Sequence, residues 1–300
     1  MKRRVCRAVE SNVGERRSYA KKLLRLYTSF GNFVLDEIFI NLDADNALMA
    51  QDAVSSHREK ELLKALKNKT LKPDQKKELT AYIYQILTRN AKRWTDRLKL
   101  SSLRAAEQFV KKALVSTTNA QRAALKAAGV NVNLLKERWT VPVVKKQYVA
   151  PEAAKLMPDL VRQNVELITK IGQSDVERIG EVVIKGLDEG LDYDALRREL
   201  KATRGFDADR ANRVALDQIN KINQQVQAAN AASIGITQAI WKHVPGQYTS
   251  RKSHIEMDGK TFDLNEGLFD PEVGYKVHCG ELPFCRCTAR LIIPREIANE

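Results

Sequence analysis

Three of the chain's four cysteines and three of its four histidines fall between Trp241 and Cys287, less than a sixth of the 300 residues. Sulfur and imidazole at that density suggest metal ligation or nucleophilic catalysis. Cys285 and Cys287 are two apart, so in a strand both sulfurs point to one side. Cys279 and either His254 or His278 then complete a tetrahedron; the zinc set expected here is His254, Cys279, Cys285 and Cys287. The spacing lacks the paired Cys-x-x-Cys of zinc ribbons, and the alternative is buried, reduced thiols packing a small core. A Cys279–Cys285 disulfide suits a reducing compartment less well.

Catalysis is the weaker expectation. The Cys285-Arg286-Cys287 run lacks a strand-to-helix elbow to expose a nucleophile, and no glycine-rich phosphate loop occurs in the chain. A nuclease built on Arg251, Ser253, His254 and Asp258 would need further carboxylates or histidines at helical or hairpin spacing. No catalytic residue is therefore assigned. His254 is read as ordering a hairpin, and Trp241 as core packing.

Charge is divided unevenly along the chain. Residues 1–150 hold 31 Lys and Arg against 14 Asp and Glu, a net +17, whereas residues 151–300 hold 20 against 23, a net −3. Such an excess in one half points to a polyanionic partner rather than to solubility alone. Between residues 101 and 150 there are nine basic residues and two acidic ones, where a merely solvated face would mix signs. Lys92, Arg93, Arg97, Lys99, Arg104, Lys111, Lys112, Arg122 and Lys126 are the expected contacts to DNA phosphates. No recognition-helix motif or aromatic platform accompanies them, so the contact expected is independent of base sequence.

No run of about 18 apolar residues could span a bilayer, and the N-terminal Met-Lys-Arg-Arg has no apolar signal core after it. A cytoplasmic site of synthesis and no membrane partner follow as expectations.

The elements that must position these groups are mostly helical. Leu23, Leu26, Tyr27, Phe30, Phe33, Val34 and Ile38 recur at helical spacing over about 15–42. A second helix is expected from the cap-rich Asp43 region to Lys67, and a third begins at Pro73. Ser101-Ser102 is expected to cap a new helix through Ala113, and Asn119 another that ends at Gly129. Residues 131–158, with Pro142, Pro151 and Pro158 among β-branched valines, read as a connection with one short strand. Pro158 opens a helix through Ile171, and Ser174-Asp-Val-Glu177 reads as a capping box starting the next, which Gly190 stops. Asp192 caps a short helix, and a long Asn/Gln-rich helix with apolar Val214, Ile219, Ile222 and Val226 begins at Asp207 and closes at Gly235. Strands are expected at 236–241, 275–279 and 288–293, with a hairpin turn at Met257-Asp258-Gly259-Lys260. The fold class is mainly α: elongated helical N-terminal and middle regions with a small C-terminal α+β module containing a short antiparallel sheet. The divisions are a basic helical region at 1–130, a connection at 131–157, a helical region at 158–235 and the module at 236–300.

In order, Ile234-Gly235-Ile236, Trp241, Arg251-x-x-His254, Asp258-Gly259-Lys260-x-Phe262 and Pro283-x-Cys285-Arg286-Cys287 follow the Asn/Gln-rich helix. This ordered combination, over about residues 155–293, resembles the phage head morphogenesis family, the minor head proteins similar to protein F of phage Mu. Upstream, where that family often has Arg-x-x-x-Ile-Ala-Arg-Thr-Glu, this chain has Leu216 in place of the second arginine.

The resemblance implies a structural minor head protein of a tailed bacteriophage, at the portal vertex or head interior. Its implied work is head assembly and genome packaging or delivery, and its partners are the portal protein, the major capsid or scaffolding protein, and packaged double-stranded DNA. It would reside in the virion, and in the host cytoplasm during assembly. The competing classes are an enzyme in the C-terminal module, nuclease or ADP-ribosyltransferase-like, and a nucleoid-type DNA-binding helical protein.

Overall fold

The computed structural model describes residues 4–42, 57–144, 146–203, 208–245 and 250–298. The fold is mainly α with a small antiparallel sheet toward the C-terminus, as the hydrophobic periodicity predicts. No described helix is long and apolar enough to cross a membrane.

The chain separates into two compact units, each assembled from distant segments. Residues 23–104 and 165–208 form one; residues 1–22, 105–164 and 209–300 form the other. The 23–104/165–208 unit is wholly helical among its described residues. It draws on α1 (Val13–Leu42), α2 (His57–Lys67), α3 (Pro73–Ala127), α6 (Met157–Asp188) and α7 (Tyr193–Ala202), the first, third and fourth of which also contribute to the other unit. The α1 stripe Leu23, Tyr27, Phe30, Val34 and Ile38 is buried, with Leu62, Leu63 and Leu66 of α2, Trp94 and Leu98 of α3, and Leu196 and Leu200 of α7 also in the core. Tyr27 donates its hydroxyl to the Ile168 carbonyl at 2.8 Å, so the buried phenol is satisfied. Asp192 caps α7 as expected, accepting from the Ala195 amide at 2.8 Å, and pairs with Lys69 at 2.9 Å.

Several expected breaks are not there. A single helix of 55 residues runs from Pro73 to Ala127, through Ser101, Ser102 and Asn119. The two serines hydrogen-bond backwards instead of capping: Ser101 to the Arg97 carbonyl at 2.9 Å and Ser102 to the Lys99 carbonyl at 2.8 Å. A cap needs extended backbone at the serine, and continuous apolar periodicity on either side keeps it helical. For the same reason the Ser174–Glu177 box lies inside one helix, α6, which runs from Met157 to Asp188. The expected helix over 43–67 is described only from His57, and the expected start of the Asn/Gln-rich helix at Asp207 lies outside the described residues.

The connection is more structured than expected. It holds α4 (Val132–Arg138), capped by the Asn131 side chain, then an antiparallel hairpin of β2 (Val141–Val144) and β3 (Gln147–Val149), then α5 (Pro151–Lys155). Two strands stand where one was expected, because Pro142 sits in a two-stranded ribbon that has edge positions to spare.

The other unit is built around α8 (Ala208–Ala232). Fourteen of its 25 residues are buried, including Asn220, Asn223, Gln224, Gln227 and Asn230, so its amides face the interior and not solvent. Most of their polar atoms find partners from across the sequence, although Gln227 Oε1 has none among the described residues. Asn223 and Gln227 both donate to the Val9 carbonyl at 2.9 Å, Thr117 donates to Asn223 at 2.9 Å, and Asn230 donates to Thr118 and Gln121 at 3.0 Å each. Asn220 and Gln224 reach toward the module, taking the Cys285 carbonyl and the Ala289 amide. A buried polar ladder of this kind fixes register, since any slip would leave amides unpaired.

The module's sheet has the order β1-β8-β4-β5, all pairs antiparallel, from β1 (Arg4–Val5), β4 (Gln238–Lys242), β5 (Thr261–Asp263) and β8 (Thr288–Ile293). The edge strand β1 comes from the N-terminus, and the Cys6 amide continues the pairing to Leu291 at 2.8 Å. A second ribbon joins β6 (Leu268–Asp270) to β7 (Tyr275–Val277). The turn expected at Met257–Lys260 is there, closed by the Lys260 amide on the Met257 carbonyl at 3.0 Å, with Gly259 at φ +82° donating to the Trp241 carbonyl; it follows a short helix, α9 (Lys252–Glu256), and leads into β5.

One glycine of the second ribbon has no alternative. Gly267 has φ +80°, and a Cβ there would lie 2.6 Å from the Val277 backbone oxygen. Gly267→Ala is expected to lower stability by about 2 kcal/mol or more through strain plus clash. Gly274, also at positive φ but facing open space, should lose only about 1 kcal/mol on the same change. Urea midpoints of the two variants test the difference.

Candidate metal centre and basic surface

His254 sits in the single turn of α9, with Arg251 at its N-cap position. The Arg251 guanidinium donates two bonds to the Pro283 carbonyl, both 3.3 Å, tying α9 to the loop that carries the cysteines. In that loop Phe284 adopts φ +61°, its amide donates to Asp217 at 2.7 Å, and Arg286 donates to the Pro245 carbonyl at 3.0 Å. Cys285 and Cys287 therefore lie in irregular backbone before β8, not in a strand as expected. Their sulfurs converge all the same.

His254, Cys285 and Cys287 are 2%, 4% and 3% exposed, and their ligating atoms all lie within 4.8 Å of one another. The Nδ1 of His254 is 3.4 Å from the Cys285 sulfur and 3.6 Å from that of Cys287. Its Nε2 is 3.1 Å from the Oδ2 of Asp270, a fully buried carboxylate at the end of β6 whose Oδ1 accepts from the Glu272 amide. His243, just past β4, brings its Nδ1 to 3.6 Å from Cys287. The Trp241 ring stands edge-on to His254, centroids 5.3 Å apart, and to Phe262 at 5.6 Å. Asp258 accepts from the His243 amide at 2.7 Å and holds the approach of that histidine.

The electrostatics follow from this crowding. A hydrogen bond from Cys287 pulls the Cys285 thiol down to about 4 against its burial, with His254 adding to the effect. Cys287 moves the opposite way, raised by the same hydrogen bond and by burial, so the two sulfurs share one proton. Burial disfavours charge on His254, but Cys285 and Asp270 outweigh it and raise its pKa. The group is thus anionic sulfur beside an imidazole oriented by a carboxylate.

Three of the four expected ligands meet, and the fourth stands apart. Cys279 is buried, but it does not come within 4.8 Å of all three other groups; burial holds its thiol well above the usual range. The alternative His278 is half-buried and bound to Glu281 at 3.2 Å and to the Asn265 carbonyl at 3.3 Å. Conversely, Asp270 and His243 escaped the sequence reading. Asp270 lies in a short Leu-Phe-Asp strand that only the second ribbon places beside α9. A cleft of about 650 Å³ between α8 and the sheet is lined by Gln224, Cys279, Gly280 and Ala289, and does not reach His254, Cys285 or Cys287.

The nine basic residues all lie on α3. In the helical unit, Arg93 pairs with Glu37 and Arg97 lies 4.0 Å over the Phe33 ring. In the other unit, Lys111 pairs with Glu107 at 2.6 Å, and Arg122 is partly buried, stacking on Trp139 and donating to the Tyr148 carbonyl. Lys92, Lys99, Arg104, Lys112 and Lys126 are exposed and form no ion pair with a described residue. Those five hold charge available to a partner.

Residues 177–290 match the family model described as Phage Mu protein F like protein. An uncharacterized protein of Haemophilus influenzae is 25% identical over 138 residues, covering 46% of this chain and 30% of that protein. The chain thus aligns with under a third of the length of the curated relative it matches. No solved structure matches it.

Proposed function

We propose that this chain, whose residues 177–290 carry the phage Mu protein F like match, is a structural component of a tailed-phage head. Within the head we assign it to the portal vertex or interior, acting in assembly and in packaging or delivery of the genome. The match is the observation that carries this reading; it covers α7, α8 and most of the module. The portal protein and neighbouring capsid or scaffolding subunits are the partners this role requires.

The proposed DNA contact rests on Lys92, Lys99, Arg104, Lys112 and Lys126, whose charge is not consumed by carboxylates. Phosphate contacts through exposed lysines and arginines carry affinity but no base specificity. If the five neutralise five phosphates, log K should fall against log[salt] with a slope of about −4 to −5 on duplex DNA. The double change Lys112→Gln and Lys126→Gln should flatten that slope by about 2. Filter binding of the full chain between low and moderate salt measures both, and a slope near zero removes the DNA contact. Placement in the head is tested separately by purifying particles and cross-linking: the chain should be present in heads and joined to the portal protein. Its absence from both mature and immature heads would overturn the reading.

A further inference from the structure

We propose that the C-terminal module holds a structural zinc ion on His254 Nδ1, Cys285 Sγ and Cys287 Sγ, with His243, whose Nδ1 approaches Cys287 from outside that group, turning in to supply the fourth ligand. The distances carry it. A tetrahedral zinc with bonds of ~2.05 Å to nitrogen and ~2.3 Å to sulfur separates its N and S ligands by about 3.6 Å. Within the group the two nitrogen–sulfur separations are 3.4 and 3.6 Å, and His243 Nδ1 stands 3.6 Å from Cys287. Two thiolate sulfurs and imidazole nitrogen are the donors that suit zinc and disfavour magnesium or calcium.

The surroundings fit as well. Asp270, fully buried, engages the Nε2 of His254 and so fixes the tautomer that offers Nδ1 to an ion; this is the carboxylate–histidine–metal arrangement of zinc sites. The loop bearing Cys285 and Cys287 has no regular secondary structure and is held by Arg251, Arg286 and Asp217, so a metal clip would fix backbone that no strand pairing fixes. The same three groups, Cys285, His254 and Asp270, could also be taken as nucleophile, base and orienting acid. That reading meets two obstacles: His254 Nδ1 faces two sulfurs at nearly equal distance, and neither sulfur lines the neighbouring cleft.

The test uses the full chain, purified under reducing conditions without a metal-binding tag. Elemental analysis should find about one zinc per chain, and exchange with Co²⁺ should give thiolate-to-cobalt charge-transfer absorption with the intensity of two sulfurs. Cys285→Ser and Cys287→Ser should each abolish stoichiometric zinc, whereas Cys279→Ser and Cys6→Ser should retain it. Asp270→Asn should weaken zinc binding by about 10–100-fold while leaving the cobalt charge-transfer band in place. His243→Ala should weaken it as well and add an exchangeable position to the cobalt spectrum. The cobalt spectrum of the unaltered chain does not depend on any variant folding. Failure of the unaltered chain to take up Zn²⁺ or Co²⁺ would overturn the proposal. So would rapid alkylation of Cys285 by iodoacetamide that added Zn²⁺ does not slow, the behaviour of a free nucleophile.

Discussion

Trp241→Ala is expected to destabilise the protein by about 3–5 kcal/mol, the range for emptying a buried aromatic site. Trp241 is fully buried, and its ring is shared between His254 and Phe262, so the cavity opens directly beside His254. Its backbone is fixed on both sides, the amide donating to the Lys260 carbonyl at 2.8 Å and the carbonyl accepting from Gly259 at 2.9 Å; the surrounding loops cannot easily collapse into the space. The indole N–H has no hydrogen-bond partner among the described residues. Trp241→Phe therefore loses volume but no hydrogen bond, and should cost less than half as much as the alanine change. Equilibrium urea unfolding of both variants decides the point: equal losses would mean that the indole nitrogen, not the ring volume, is what the site needs.

Asn230→Asp should destabilise the protein at neutral pH by about 3 kcal/mol or more, although the side chain keeps its shape. The Asn230 amide group is fully buried and donates to Thr118 Oγ1 and to Gln121 Oε1, each at 3.0 Å, while its oxygen accepts from the Ala150 amide at 3.4 Å. An aspartate replaces the donor with an acceptor, faces Gln121 oxygen to oxygen, and buries a charge among hydrogen-bond partners that are all neutral. Burial of this kind raises the folded-state pKa above the unfolded value of about 3.9. The folded form then binds its proton more tightly, so the deficit is small below about pH 4 and grows as pH rises toward the folded pKa, above which it is constant. Stability of variant and parent followed from pH 4 to 8 should diverge with rising pH; parallel curves would show that no charge is being buried.

The long amphipathic helices were legible from the sequence because they rest on local periodicity: the 23–38 stripe, the Asp192 cap and the Gly190 and Gly235 stops all depend on residues within a turn or two of each other. Internal capping signals misled for a related reason. Ser101, Ser102 and Ser174 carry the side chain that a cap needs, but a cap forms only if the backbone leaves the helix there, and packing on both sides of each serine keeps it in. The Asn/Gln face of α8 was invisible as core, because amide side chains look solvent-seeking until partners such as the Val9 carbonyl and Gln121, from remote segments, are placed against them.

The sequence by itself determined the helical character, the crowding of sulfur and imidazole between Trp241 and Cys287, and the ordered pattern within the stretch, residues 177–290, that matches the phage Mu protein F like model. Composition and short spacing suffice for those. Only the tertiary structure decided that β1 from the N-terminus edges the C-terminal sheet, that α8 is the centre of its unit, and which groups meet at His254. It set His243 beside Cys287 and brought Asp270 to His254. Those choices depend on where loops of unpredictable course bring side chains to within a few ångströms, and residue order carries no such distance.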